Sequence, residues 1–194
     1  MDETREQGVG SNKPRPVKPK AFLNESGLYE YAVKALGRLM RTEAELRRLM
    51  HQRVETGPRG DEVVNRVLAR LKEHGYLNDQ SYAETFARLR QENEKFGRRR
   101  VRQALSQKGV SQKIVQQVVD ESYAKTNEEA LARQYLERKR IRKPANEKET
   151  ARVMRRLVTA GFSTGVIYKI LRQWDVPEEE LTVLENLGDE THEE

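Results

Sequence analysis

The densest run of chemically competent side chains is Phe96-Gly97-Arg98-Arg99-Arg100-Val101-Arg102-Gln103-Ala104-Leu105, with four guanidinium groups in five residues. A guanidinium is planar, permanently charged and able to fork two N–H donors onto one phosphate or carboxylate. On a helix at about 100° per residue, Val101, Ala104 and Leu105 share an apolar face. Arg99, Arg100 and Gln103 then point away from it, and Arg98 and Arg102 flank it. A second basic run, Arg138-Lys139-Arg140-Ile141-Arg142-Lys143, ends a helix ahead of Pro144, and Lys108 lies between the two. The candidate contacts for a polyanion or an acidic protein surface are therefore Arg98, Arg99, Arg100, Arg102, Lys108, Lys139, Arg140 and Arg142. Two plainer readings stay open. Arginine stems commonly cover apolar surface on a solvated helix, and cations at a helix C-terminus are favoured by the helix dipole alone.

Few other residues are placed for chemistry. The 194 residues contain no cysteine, which excludes a disulfide framework and a Cys-ligated metal site. The three histidines, His51, His74 and His192, are scattered, and no paired-carboxylate, GxSxG, HExxH, GxGxxG or GxxxxGK[ST] pattern occurs. Catalysis, a cofactor and a metal are not expected. Tyr76, Tyr82, Phe86 and Trp174 fall where helix packing asks for bulk, and aromatics at 6% are thin for a base-stacking protein. No apolar run approaches the roughly 20 residues of a membrane span. The first residues lack the apolar core of a signal peptide, so the expected compartment is the cytoplasm.

Charge is distributed unevenly. Lys plus Arg number 37 against 31 acids, a net charge of +6. Residues 178–194 nevertheless hold eight acids and no Lys or Arg, while 97–143 hold thirteen bases against five acids. Such a basic field attracts polyanions. Residues 1–26, rich in Gly, Pro, Lys and Arg, read as a disordered basic arm, and 177–194 as an acidic C-terminal tail.

Between the two ends the apolar spacing follows the helical period. Val63, Val64, Val67, Leu68 and Leu71 form one stripe; Tyr82, Phe86 and Leu89 another; then Ile114, Val115, Val118 and Val119; then Val166, Ile167, Ile170 and Leu171. Thr42, Asn78-Asp79, Ser111 and Ser163 mark helix starts. Leu105-Ser106-Gln107-Lys108-Gly109-Val110-Ser111 returns as Leu157-Val158-Thr159-Ala160-Gly161-Phe162-Ser163, an offset of 52 residues. Gly109 and Gly161 stand where a left-handed turn residue ends one helix. The spacing predicts an all-α fold of three tandem three-helix modules, 27–78, 79–125 and 126–176, in an elongated, curved array. Each module opens with an amphipathic helix, near 28–40, 79–94 and 127–140.

Several segments, taken in order, resemble the RecX family of recombinase regulators. They are Ala35-Leu36-Gly37-Arg38 with Thr42-Glu43-Ala44-Glu45-Leu46, and Val67-Leu68-Ala69-Arg70-Leu71-Lys72-Glu73-His74-Gly75-Tyr76-Leu77-Asn78-Asp79 with Tyr82-Ala83. Gly97-Arg98-Arg99-Arg100-Val101 and Leu105-Ser106-Gln107-Lys108-Gly109-Val110 complete the set. The resemblance spans about 28–174. It implies a non-enzymatic regulator that lies in the groove of the RecA–DNA filament, limits RecA ATPase and strand exchange, and damps the SOS response. The implied partner is the RecA filament, with weak non-specific DNA contact and no membrane. The alternating charge suggests a monomer. A second reading is a helix-turn-helix regulator acting on duplex DNA through Gln112, Lys113, Gln116 and Gln117 on the helix after Gly109.

Overall fold

Helix starts in this chain are encoded by short polar side chains that bond the unpaired N–H groups of the first turn. Asn24, Thr42, Asn78, Ser111, Asn127 and Asn146 each accept from the backbone N–H three residues on. Thr42 forms a full capping box with Glu45. The computed structural model describes residues 22–177. Among these it contains nine helices: α1 (Glu25–Arg38), α2 (Glu43–His51), α3 (Pro58–Glu73), α4 (Asp79–Glu94), α5 (Arg98–Gln107), α6 (Gln112–Tyr123), α7 (Glu128–Arg138), α8 (Glu147–Ala160) and α9 (Thr164–Gln173), and no strand.

The helices group in threes by a common rule. In each set the first and second helices pack on the third: α1 and α2 on α3, α4 and α5 on α6, α7 and α8 on α9. The fold is all-α and modular. Apolar faces follow the expected stripes on α3, α6 and α9, where Val64, Leu71, Val115, Val119, Ile167 and Ile170 are fully buried. On α4 the stripe is rotated. Leu89 is exposed, and Ala83 and Ala87 are fully buried in its place. Two methyl side chains let α4 lie close against α6, so bulk on that face would be excluded. Tyr76 is likewise exposed rather than core, since the Gly75 turn (φ +71°) carries Leu77 inward instead.

Two further features differ from the sequence reading. The sequence places the basic arm at 1–26, yet α1 begins at Glu25, because Asn24 caps it and the Leu23 N–H bonds the Arg53 carbonyl at 2.7 Å. Residues 1–21 of that arm, and 178–194 of the acidic tail, lie outside the described residues. Ser163 makes no cap bond to α9. Its N–H and hydroxyl instead donate to the two carboxylate oxygens of Glu128, at 2.8 and 2.9 Å, tying the start of α9 to the start of α7.

The modules meet end to end through their middle helices. The Thr42 hydroxyl at the start of α2 donates to the Lys108 carbonyl at the end of α5, at 2.7 Å. One module later, the Gly97 N–H at the start of α5 donates to the Ala160 carbonyl at the end of α8, at 2.9 Å, and the Arg99 N–H reaches the Gly161 carbonyl at 3.2 Å. Gly109 and Gly161 both hold left-handed backbone, at φ +81° and +92°. Gly97 is required for a different reason: a Cβ there would overlap the Gly161 carbonyl.

The first joint is otherwise polar. Lys108 Nζ bonds Glu45 at 2.8 Å, and the Glu43 N–H donates to Asp79 Oδ1 at 2.8 Å. Burial alone would raise the Glu45 pKa. Its bonds to Lys108 and to the Thr42 N–H outweigh that and hold the carboxyl below its ordinary value. The second joint is apolar. One continuous core runs through α4–α9, with Phe96, Tyr135 and Phe162 in a chain of ring contacts at 6.3 and 5.8 Å. The core of α1–α3 is separate.

The joints and the helix interiors respond differently to an added methyl. Gly97→Ala should lose about 1–3 kcal/mol by overpacking. Gly37→Ala, on α1 with open space where its Cβ would lie, should gain about 0.5–1 kcal/mol of helix propensity; thermal melts followed by circular dichroism separate the two. For Glu45, a folded pKa below the unfolded one means stability that is present above the unfolded value and is lost as pH falls through the folded value. Glu45→Gln should therefore cost about 1 kcal/mol at neutral pH and flatten the acid limb of a urea-melt series between about pH 3 and 5.

Candidate polyanion-binding face

Helix α5 opens with Arg98, Arg99 and Arg100 as its first three residues, behind a glycine N-cap with no side-chain bond and no acid in the first turn. This is the wrong end of a helix for cations, whose placement against the positive pole costs about 0.3–1 kcal/mol each. The C-terminal carbonyls of α8, bonded to the same turn, offset part of that cost. All three arginines are exposed, and no ion-pair partner meets them among the described residues. Arg100 leans over the Phe96 ring, 5.8 Å from its centroid.

The remaining sequence candidates divide. Arg102 is paired with Asp120 of α6 at 3.2 Å. Lys108 is held by Glu45 in the first joint, with the Tyr82 and Phe86 rings 5.8 and 5.9 Å from its ammonium. The Glu45 bond keeps its pKa above the ordinary lysine value, although burial opposes this. Lys139 is the exposed C-cap of α7. Arg140, in left-handed backbone at φ +52°, and Arg142 are exposed on the loop that follows.

That loop faces arginines that sequence reasoning passed over. Arg140 and Arg142 share a cleft of about 330 Å³ with Arg152 and Arg156 of α8. Arg152, Arg155, Arg156, Tyr135 and Thr159 line an adjoining cleft of about 240 Å³. The signal was legible: Arg152, Arg155 and Arg156 stand at i, i+3 and i+4, opposite the buried Val153, Met154 and Leu157 of α8. Tyr135, which lines the α8 cleft, meets the Phe96 ring over which Arg100 leans. Burial raises the Tyr135 pKa, and the nearby charges of Arg156 and Arg100 pull it back. The backbone and Cβ of Arg100 pack against Gly161 at the end of α8, across the module boundary.

Exposed guanidinium groups thus stand at the start of α5, where Arg100 lines a hollow with Glu45, Arg90 and Glu94, and in the two adjoining clefts formed by α8 and the loop after α7. They are suited to several phosphates or carboxylates and form no converging acid–base pair. Among the described residues no three His, Asp or Glu side chains gather to hold a metal ion, and no helix is long and apolar enough to cross a membrane. On α6, Gln112, Lys113, Gln116 and Gln117 are all exposed, with Gln117 bonded to Glu121 at 3.1 Å.

A family profile described as "RecX, second three-helix domain" matches residues 78–119, the α4–α6 set from its Asn78 cap onward. The regulatory protein RecX of Thermobifida fusca is 32% identical over 143 residues, covering 73% of this chain and 75% of the relative. A RecX of Thermus thermophilus is 31% identical over 150 residues, 77% and 92% of the two chains. That of Myxococcus xanthus is 29% identical over 189 residues, 88% and 97%. Two solved structures share the fold. A crystal structure of regulatory protein RecX superimposes with a TM-score of 0.61 at 23% identity, over 77% of this chain and 71% of that one. RecX from Lactobacillus salivarius gives 0.59 at 21% identity, over 78% and 96%. Sequence identity above 30% over most of two relatives, together with the matching three-helix domain, places this chain in the RecX family of regulatory proteins.

Proposed function

We propose that the chain is a non-catalytic regulator that binds the RecA–DNA filament in the cytoplasm, as a monomer, and restrains RecA ATP hydrolysis, strand exchange and the SOS response. Family membership supports the regulatory role. The observation that carries the contact surface is the set of exposed arginines at the start of α5 and on α8, which meet no ion-pair partner among the described residues. A filament groove presents nucleic-acid phosphates and acidic protein side chains at repeating intervals. Guanidinium groups on tandem modules meet such a polymer at several weak points, whose strengths combine through effective concentration. Arg98–Arg100, Arg140 and Arg142 supply charge from the loops and helix ends, and Arg152, Arg155 and Arg156 from a helix face. Lys108 and Arg102, already partnered, serve the scaffold. The three modules set the spacing of these contacts.

The test is inhibition of the DNA-dependent ATPase of RecA by purified protein. The wild-type chain should inhibit at substoichiometric amounts. Arg99→Ala/Arg100→Ala should raise the half-inhibiting concentration about 10-fold, a loss of about 1.4 kcal/mol, with an unchanged melting temperature. Full inhibition by the folded double variant removes this face from the assignment. In direct binding to DNA, each arginine removed from the face should flatten the log–log salt slope by about 0.7–0.9. A sequence-specific shift of duplex without RecA, persisting at about 200 mM salt and lost in Gln112→Ala/Gln116→Ala, would instead support recognition through α6.

A further inference from the structure

Five guanidinium groups, those of Arg140, Arg142, Arg152, Arg155 and Arg156, crowd two adjoining clefts. The carboxylate on the cleft wall, Glu149, is used by the local turn, accepting the Ala145 N–H at 2.9 Å. Like charges held this close repel one another and favour an anion between them. The same chain carries one: residues 178–194 hold eight acids and no Lys or Arg.

The geometry delivers that segment to the rim of the clefts. After α9 the chain turns through Asp175, in left-handed backbone at φ +54°. Val176 is buried, and its N–H bonds the Leu171 carbonyl at 3.2 Å. The Asp175 carboxylate takes Lys143 Nζ at 2.9 Å, and Lys143 lines the cleft with Arg140 and Arg142. The acidic run thus starts three residues after an acid already paired to the cleft rim. Seventeen residues can span at most on the order of 60 Å, enough to reach both clefts. Tethering supplies an effective concentration in the millimolar range. Exposed ion pairs contribute only about 0–1 kcal/mol each and are screened over about 10 Å at 0.1 M salt, so such an occupant is displaceable.

Building on the α5–α8 face as a polyanion surface, we infer that residues 178–194 occupy the Arg140–Arg156 clefts of the free protein and are displaced by a nucleic-acid strand. The face is self-masked. Only a denser polyanion, with a charge at every residue of its backbone, outcompetes the segment.

The test uses the full chain with all eight carboxylates of 178–194 changed to amides (Glu→Gln, Asp189→Asn), beside the unmodified chain. Fluorescence anisotropy with a labelled oligothymidylate of about 20 nucleotides, longer than one single-strand binding site, should show the amide variant binding about 10-fold tighter at low salt. The gap should close as salt rises. A second readout needs no nucleic acid. Because the chain has no cysteine, Thr191→Cys accepts a single spin label. The label should broaden the backbone amide NMR signals of 140–142 and 152–156, and the broadening should vanish when the carboxylates are amides or in Arg152→Ala/Arg155→Ala/Arg156→Ala. No broadening, or equal broadening with and without the carboxylates, overturns the masking. Carboxylate-dependent broadening with no oligonucleotide binding by either chain supports the masking and removes the polyanion reading on which it was built.

Discussion

The structure depends on the unpaired backbone groups at helix ends and on the way one module satisfies those of the next. A helix leaves N–H groups free at its start and carbonyls free at its end. Here the end of α8 is closed by the start of α5, through Gly97 to Ala160 and Arg99 to Gly161, and the end of α5 is closed by the start of α2, through the Thr42 hydroxyl. The arrangement sets the positive pole of one middle helix against the negative pole of another. It also explains why the two repeated turns carry glycine. Only a left-handed residue without a Cβ brings the carbonyls within reach of the neighbouring helix start.

Both joints close the end of one middle helix on the start of another, by the Thr42 side-chain hydroxyl at the first and by backbone N–H groups at the second, in different surroundings. Between the first and second modules the supporting contacts are an ion pair and carboxylate bonds, and the apolar cores stay apart. Between the second and third, aromatic rings carry a single core across the boundary. A core without a break resists relative motion of its parts, because displacement would open voids. The α4–α9 half is the firmer platform, and it is this half that bears the arginine face.

The placement of charge follows from the second joint. Three arginines in the first turn of α5 oppose that helix's own dipole, yet they sit beside the C-terminal carbonyls of α8, where cations are favoured. A local conflict is thereby eased by a tertiary contact, and the side chains remain free of carboxylates. Local rules are most often broken where a surface is kept for a partner. Proposed contacts to a filament and to the chain's own acidic segment draw on one property, a positive field in which arginines outnumber the nearby carboxylates.

Much of this was legible in the residues. The helical period, the caps at Thr42, Asn78 and Ser111, the 52-residue offset and the turn glycines determined an all-α chain of three-helix modules, because each depends on neighbours within a few residues. The rotated face of α4, the exposure of Leu89 and Tyr76, and the diversion of Ser163 to Glu128 were decided by packing between helices that are distant in sequence. The same holds for the candidate site. Sequence located the arginines of α5 and of the loop after α7, but composition could not say that Lys108 and Arg102 would be consumed by Glu45 and Asp120. Nor could it bring Arg100 against Gly161 at the end of α8. Spacing along a chain determines which side of its own helix a charge occupies; what stands opposite that side depends on how the helices meet, and only the folded chain determines that.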